Sequence, residues 1–195
     1  MRKLKLQVQM TIDGFIAGPN NEMDWMVWDW DDALKQYVAD ITETVDCIVL
    51  GRKLAQGFIP HWADVAANID SPENEAGRKF TDTHKVVFSK TLDISNTAVK
   101  VWKNTVLANG ELVEEINQLK NKKGKDIIGY GGATFVSALI RHGLIDEFHL
   151  FINPVAIGNG MSVFTELETK QNLTLVNSYP FDCGIVVLKY DKKQT

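Results

Sequence analysis

The stretch that most constrains this chain runs from residue 126 to 143, Asp-Ile-Ile-Gly-Tyr-Gly-Gly-Ala-Thr-Phe-Val-Ser-Ala-Leu-Ile-Arg-His-Gly. Ile127 and Ile128 read as the end of a buried strand. Gly129, Gly131 and Gly132 strip side chains from the turn that follows. Ala133 to Arg141 reads as a helix that is apolar on nearly every face, and Gly143 stands where a helix C-terminus takes a residue of positive φ. Such a turn aims backbone N–H groups, including those of Ala133 and Thr134, and the positive end of a helix dipole at one spot, which favours a phosphate. Missing side chains let that phosphate approach the backbone closely. The plainer reading is a tight turn between two packed elements.

The flanking chain alternates strands and helices. Leu4, Leu6, Val8 and Met10 interleave with Lys5, Gln7 and Gln9, the pattern of a strand with one buried face. A turn-rich stretch around Asp13, Gly14, Gly18 and Pro19 follows, then a loop holding Trp25, Trp28 and Trp30. Asp31 and Asp32 open a helix whose Leu34, Tyr37, Val38 and Ile41 fall at helical spacing. Asp46 to Gly51 is a central strand. Arg52 to Phe58 is a helix that Pro60 is expected to stop, and residues 59 to 83 read as a surface connection with some local helix. Lys85 to Ser89 and Val99 to Trp102 read as strands, Gly110 to Lys120 as an amphipathic helix, and Glu147 to Asn153 as a strand ended by Pro154. Leu173 to Asn177 and Ile185 to Lys189 form an antiparallel pair around a turn. The expected fold is α/β: one mostly parallel sheet flanked by helices, with an antiparallel C-terminal edge, in a single domain spanning residues 1–195.

With 195 residues, the chain is long enough to bury a sizeable core. A net charge of −4 argues against a general nucleic-acid surface, though not against a local basic pocket. Two cysteines, Cys47 and Cys183, and four scattered histidines give no zinc spacing, so no metal is expected. No apolar run is long enough to span a bilayer and no secretory signal is visible, so a cytoplasmic protein without a membrane partner is expected.

Three stretches fall where predicted strands end: Gly51-Arg52-Lys53, Ser89-Lys90-Thr91 and the glycine turn. In an open α/β sheet, ligands bind beyond the carboxyl ends of the parallel strands. Arginine grips a phosphate bidentately and lysine acts as a point charge. Each stretch alone reads as a solvated basic turn; their joint placement makes a cradle for several phosphates.

In order along the chain stand Asp13-Gly14-Phe15-Ile16-Ala17, Met23-Asp24-Trp25, Gly51-Arg52-Lys53, Ser89-Lys90-Thr91, Gly129-Tyr130-Gly131-Gly132, Ile145-Asp146-Glu147 and Pro154-Val-Ala-Ile-Gly158-Asn-Gly160. With these the sequence resembles the dihydrofolate reductase-like superfamily over residues 4 to 190. It is most similar to the branch of the C-terminal reductase domain of the bifunctional riboflavin-biosynthesis deaminase/reductase. The resemblance implies a reductase fold using NADPH as hydride donor. It implies that Arg52, Ser89 and Lys90 flank the 2′-phosphate and that Gly131 and Gly132 hold the pyrophosphate. It also implies that the loop bearing Ile16 and Ala17 closes over the nicotinamide. True dihydrofolate reductases usually carry a threonine after Gly-Arg-Lys where this chain has Leu54, so one hydroxyl contact is missing. The resemblance also points to a homodimer, as do the apolar C-terminal strands.

The remaining need is a proton donor near the acceptor. Asp31 or Asp32 is the nearest positional match, against a plainer role in favouring the helix N-terminus. Asp13 is a further candidate, although Asp-Gly more often makes a turn. The three loop tryptophans either stack on a flat heterocycle or pack in the fold. The expected activity is NADPH-dependent hydride transfer to a small heterocyclic substrate, a pterin or dihydrofolate-like molecule or an aminopyrimidine of riboflavin biosynthesis. The alternatives are an NADP-binding protein of the same fold without the reaction, and an interaction module with a degenerate site.

Overall fold

The computed structural model describes residues 1–92 and 102–193. The strand expected at Val99 to Trp102 therefore lies outside the described residues except for Trp102, which is buried. The elements in chain order are β1 (Leu4–Thr11), α1 (Asp32–Glu43), β2 (Val45–Gly51), α2 (Arg52–Ala67), α3 (Asn74–Asp82), β3 (His84–Phe88), β4 (Thr105–Ala108), α4 (Leu112–Asn121), β5 (Asp126–Tyr130), α5 (Ala133–Arg141), β6 (Glu147–Asn153), β7 (Leu173–Pro180) and β8 (Val186–Lys192).

One eight-stranded sheet has the order β4-β3-β2-β5-β1-β6-β8-β7. The pairs from β4 through β6 are all parallel, and β6-β8 and β8-β7 are antiparallel, which is the expected mixed sheet with its antiparallel edge. The continuous apolar run Cys-Ile-Val-Leu in β2 is explained by helices on both faces. Cys47 and Val49 meet the cluster under α4 and α5, while Ile48 and Leu50 meet the one under α2 and α3. A third cluster, around Phe151, Ile185 and Val187, is covered by Leu34 and Ile41 of α1.

Two expectations are corrected. Pro60 does not end α2, which continues to Ala67 with the proline inside it. Proline removes one hydrogen bond to the carbonyl four residues earlier. Here that residue is the exposed Gln56, so water can satisfy the freed carbonyl. The helix is held instead by aromatic packing: Phe58 stacks on Tyr130 at 5.2 Å, and Trp62 lies 4.5 Å from Phe80 of α3. The second half of α2 and all of α3 thus occupy what reads in the sequence as surface connection.

Nor does β1 have only one buried face. It is a central strand, and its polar row is covered too: Lys5 and Gln7 are as inaccessible as much of the core. Strand alternation reports which residues share a face, but not whether a second layer covers the polar one.

Candidate functional site

Strands β3, β2 and β5 are neighbours, with Gly51 paired to Phe88 and Val49 to Gly129. Their carboxyl ends therefore lie side by side. This edge gathers Gly51-Arg52-Lys53, Ser89-Lys90-Thr91 and Gly131-Gly132-Ala133-Thr134. Two helices begin there, α2 after Gly51 and α5 after Gly132, and neither start has a side-chain cap. The first N–H groups of both helices are thus left for an acceptor from outside the helix, and both dipoles favour an anion.

The glycines differ in what they do. Gly132 has φ 110°, a region closed to most side chains. A Cβ on Gly51 would stand 2.7 Å from Cβ of Phe135, so this glycine lets the first turn of α5 lie against the end of β2. Gly129 sits inside β5, below the turn. Gly131 is required by none of these. Its φ is not positive, and a Cβ there would meet only Val8 Cγ2, at an ordinary 3.7 Å. An absent side chain that packing does not demand, beside an uncapped helix N-terminus, fits the close approach of a dinucleotide's pyrophosphate. Leu54, which replaces the hydroxyl seen in dihydrofolate reductases, packs with its Cβ 3.9 Å from a Cβ placed on Gly132.

The basic groups are available. Arg52 has no hydrogen-bond or ion-pair partner among the described residues, and neither has Lys53. Ser89 Oγ accepts the N–H groups of Thr91 (3.2 Å) and Leu92 (2.9 Å), fixing that turn. Lys90 Nζ lies 3.1 Å from Glu111, with both side chains some three-quarters exposed, a pair weak enough to exchange for a phosphate.

The loop after β1 is pinned. Ile16 and Ala17 are buried, Ile16 N–H donates to Met161 O and Met161 N–H to Ala17 O, each at 2.8 Å. Asp13 accepts from Thr11 Oγ1 (2.5 Å), Gly158 N–H (2.7 Å) and Ile157 N–H (3.1 Å). The Thr11 hydroxyl first, and those amides with it, hold its carboxyl below the usual range. Asp31 caps α1 through Leu34 N–H (2.8 Å) and also accepts Cys183 N–H (2.9 Å), which hold its carboxyl down likewise. Asp32 is fully exposed, with Lys35 at 3.9 Å. These two acids begin α1, on the β6-β8 side of the sheet, and are not gathered with the cradle residues.

Of the loop tryptophans, Trp30 packs: Nε1 donates to Val27 O at 2.7 Å and its ring lies 6.1 Å from Phe151. Trp28 is exposed, and Trp25 Nε1 is buried without a partner among the described residues. Asn153, absent from the sequence-based candidates, anchors this loop. Wholly buried at the end of β6, it accepts Val27 N–H (2.9 Å) and donates to Gln9 Oε1 (2.7 Å). Sequence reasoning also passed over Gln7 and Tyr130. Gln7 Oε1 and the Tyr130 hydroxyl are buried with no partner among the described residues, on residues paired across β1 and β5. Each unpaired buried group costs about 1–3 kcal/mol. The available signal was polarity within β1 and a hydroxyl immediately before the glycine pair.

At the other end of β1 and β6, Glu147 and His149 are answered within the chain, although Asp191 Oδ1, on the residue paired with Glu147, is buried with no partner among the described residues. His149, wholly buried, donates through Nε2 to Glu147 (2.8 Å) and accepts from the Tyr37 hydroxyl at Nδ1 (2.6 Å). Lys3 and Lys189 approach Glu147 at 3.4 and 3.5 Å, and Lys5 bonds Thr44 Oγ1 (2.7 Å) and Asp126 (3.2 Å). Burial opposes ionisation of Glu147, but the His149 hydrogen bond and the surrounding positive charge outweigh it and hold the carboxyl down at about 2. Burial pushes His149 below its ordinary value, so the ring is neutral, with its proton on Nε2.

Among the described residues there is no group of three or more His, Cys, Asp or Glu side chains suited to a metal, and no helix long and apolar enough to cross a membrane. The family described as the RibD C-terminal domain matches residues 2–187. YyaP, an uncharacterized protein of Bacillus subtilis (strain 168), is 35% identical over 192 residues, covering 97% of this chain and 94% of its own. Two solved structures share the fold. One, from Shewanella sp. PV-4 and attributed to riboflavin biosynthesis, has a TM-score of 0.71 at 23% identity, with both chains fully covered. The other is the Thermotoga maritima diaminohydroxyphosphoribosylaminopyrimidine deaminase/5-amino-6-(5-phosphoribosylamino)uracil reductase. It has a TM-score of 0.71 at 15% identity, over 98% of this chain and 57% of that one.

Proposed function

The chain belongs to the RibD C-terminal domain family, and on that premise we propose that it is a cytoplasmic NADPH-dependent reductase of a small heterocyclic substrate. The observation that carries this reading is the side-by-side placement of two uncapped helix N-termini and Gly131 at the ends of β2 and β5, next to the Ser89 turn of β3.

When bound, NADPH supplies the hydride. The chain supplies the rest. Arg52 and Lys90, with the Ser89 hydroxyl, hold the 2′-phosphate; Lys53 and Thr91 border it. Gly131, Gly132 and the N–H groups of Ala133 and Thr134 hold the pyrophosphate. Ile16 and Ala17 form an apolar wall for the nicotinamide and exclude water from it. Asp13 and Asp31 are held ionised by their hydrogen bonds, so neither has a proton to give at neutral pH. Asp32 is the acid of the three whose carboxylate accepts no backbone hydrogen bond and stands open to solvent, and we assign to it the relay of a proton from water rather than the holding of one.

Titration calorimetry with NADPH and NADH tests the cofactor. A charge-assisted contact to the 2′-phosphate contributes about 1.5–3 kcal/mol, so NADPH is expected to bind roughly tenfold tighter or more. Equal affinities, or no binding of either, would overturn the reading. Asp32→Asn is expected to lower turnover and leave NADPH affinity unchanged. The engagement of both Asp13 and Asp31 favours a second reading, a protein that binds NADP without the reaction. Steady NADPH oxidation with an aminopyrimidine or pterin acceptor separates the two. The same reading makes the protein a homodimer through β7, an edge strand exposing Leu175 and Val176, to be checked by sedimentation at micromolar concentration.

A further inference from the structure

The side chains of Gln7 and Tyr130 lie on the same face of the sheet, because parallel partners in register point the same way. Two helices cover that face and leave β1 between them. Tyr37 of α1 reaches His149 on β6, on one side of β1, and Phe58 of α2 stacks on Tyr130 of β5, on the other. In this position Gln7 is 8% exposed and Tyr130 9%, yet Gln7 Oε1 and the Tyr130 hydroxyl have no hydrogen-bond partner among the described residues. Leucine and phenylalanine would fill the same space without orphaned polar atoms. Tyr130 also directly precedes Gly131, so its strand end leads into the phosphate cradle.

We infer that Gln7 and Tyr130 are specificity-determining residues that read the lactam edge of the heterocyclic substrate, an N–H beside a ring carbonyl, as in a uracil. The inference rests on the reductase reading for its ligand class. The Gln7 carboxamide offers both a donor and an acceptor, and the Tyr130 hydroxyl donates to the carbonyl. The two residues stand on strands about 4.8 Å apart, a span that neighbouring ring N–H and C=O groups bridge with one hydrogen bond at each end. A substrate bound here pairs both orphaned atoms, whereas an analogue without the lactam leaves them unpaired. A site built this way discriminates strongly between the two.

The test uses the full chain and two probes, 5-aminouracil and 5-aminopyrimidine, which has the same ring and amino group but no lactam. Ligand-observed NMR titration gives the affinity of each for the wild type, Tyr130→Phe and Gln7→Leu. The expected result is a preference of wild type for 5-aminouracil of about fivefold or more, reduced at least threefold in each variant. NADPH affinity is expected to stay within twofold, and melting temperature to hold or rise. Tyr130→Phe removes only an oxygen with no partner, so it decides the matter if Gln7→Leu folds poorly. No preference in wild type, or a preference unchanged in Tyr130→Phe, overturns the inference. An unchanged preference with a lowered melting temperature would identify a buried water as the partner instead. A retained preference without NADPH binding would leave this inference standing and defeat the reductase reading.

Discussion

At the start of β6, Glu147 is met by His149, Lys3 and Lys189, and the Tyr37 hydroxyl closes the other side of the imidazole. At the far ends of β2, β3 and β5, Arg52 has no partner among the described residues, two helices lack side-chain caps, and Gly131 leaves room that packing does not need. Both regions are polar and both lie on the same sheet. In the first, Glu147 and His149 are answered within the chain; in the second, donors are left over among the described residues. A buried polar group left unanswered is costly, so the Glu147 and His149 contacts hold the fold, while the free donors at the strand ends suit an acceptor from outside the chain.

The largest effect is expected where the Glu147 contacts are broken. Glu147→Ala leaves the buried His149 Nε2–H without its acceptor and removes the carboxylate that Lys3 and Lys189 face. It is expected to lower unfolding free energy by about 3 kcal/mol in urea titration, the upper end for a buried donor that loses a charged partner. NADPH affinity should change less than twofold. A loss below about 1 kcal/mol, outside the range for an orphaned buried donor, would break the contrast.

The same cluster sets acid sensitivity. Glu147 has its folded pKa depressed, so its contribution is fully present above about 4.5 and is lost as pH falls toward about 2. His149 is depressed as well. Its contribution is present above 6.5 and declines below that as the unfolded chain takes up the proton first. Stability should therefore fall continuously from pH 6.5 downward, and Glu147→Ala should flatten the part below 4.5. Urea midpoints at half-unit pH intervals would show this.

Filling the surplus region should do the reverse. Gly131→Asp is expected to weaken NADPH and NADH alike by roughly a hundredfold, about 2.7 kcal/mol, with melting temperature nearly unchanged because its Cβ meets only Val8. A large loss of stability instead would show that the glycine serves packing. The smallest effect belongs to Lys90→Ala, which should narrow the preference for NADPH over NADH by up to tenfold in calorimetry and leave NADH affinity as it was.

The three stretches of the proposed cradle were legible because each is local. A glycine pair between an apolar strand and an apolar helix, and basic turns directly after strands, are short-range patterns, and the sheet brought three of them to one edge. The partners of the carboxylates were less legible: the sequence offers Asp31 at a helix N-terminus and Asp13 in a turn, but not that Cys183 and Gly158, far along the chain, donate to them. Pro60 misled because a local rule against helical proline gives way where the freed carbonyl faces water and aromatic side chains hold the helix.

The sequence by itself determined most of the strand and helix segments, the parallel core with its antiparallel edge, and the order of the motifs, since each follows from periodicity and turn chemistry within a few residues; it did not show the second half of α2, α3 or β4. Only the tertiary structure decided that Lys5 and Gln7 are inside, that Glu147 and His149 are buried, and that Gln7 and Tyr130 face the same way with no partner among the described residues. Those outcomes depend on which strands become neighbours and what covers them. Both are settled by contacts between residues more than a hundred positions apart, which no local pattern records.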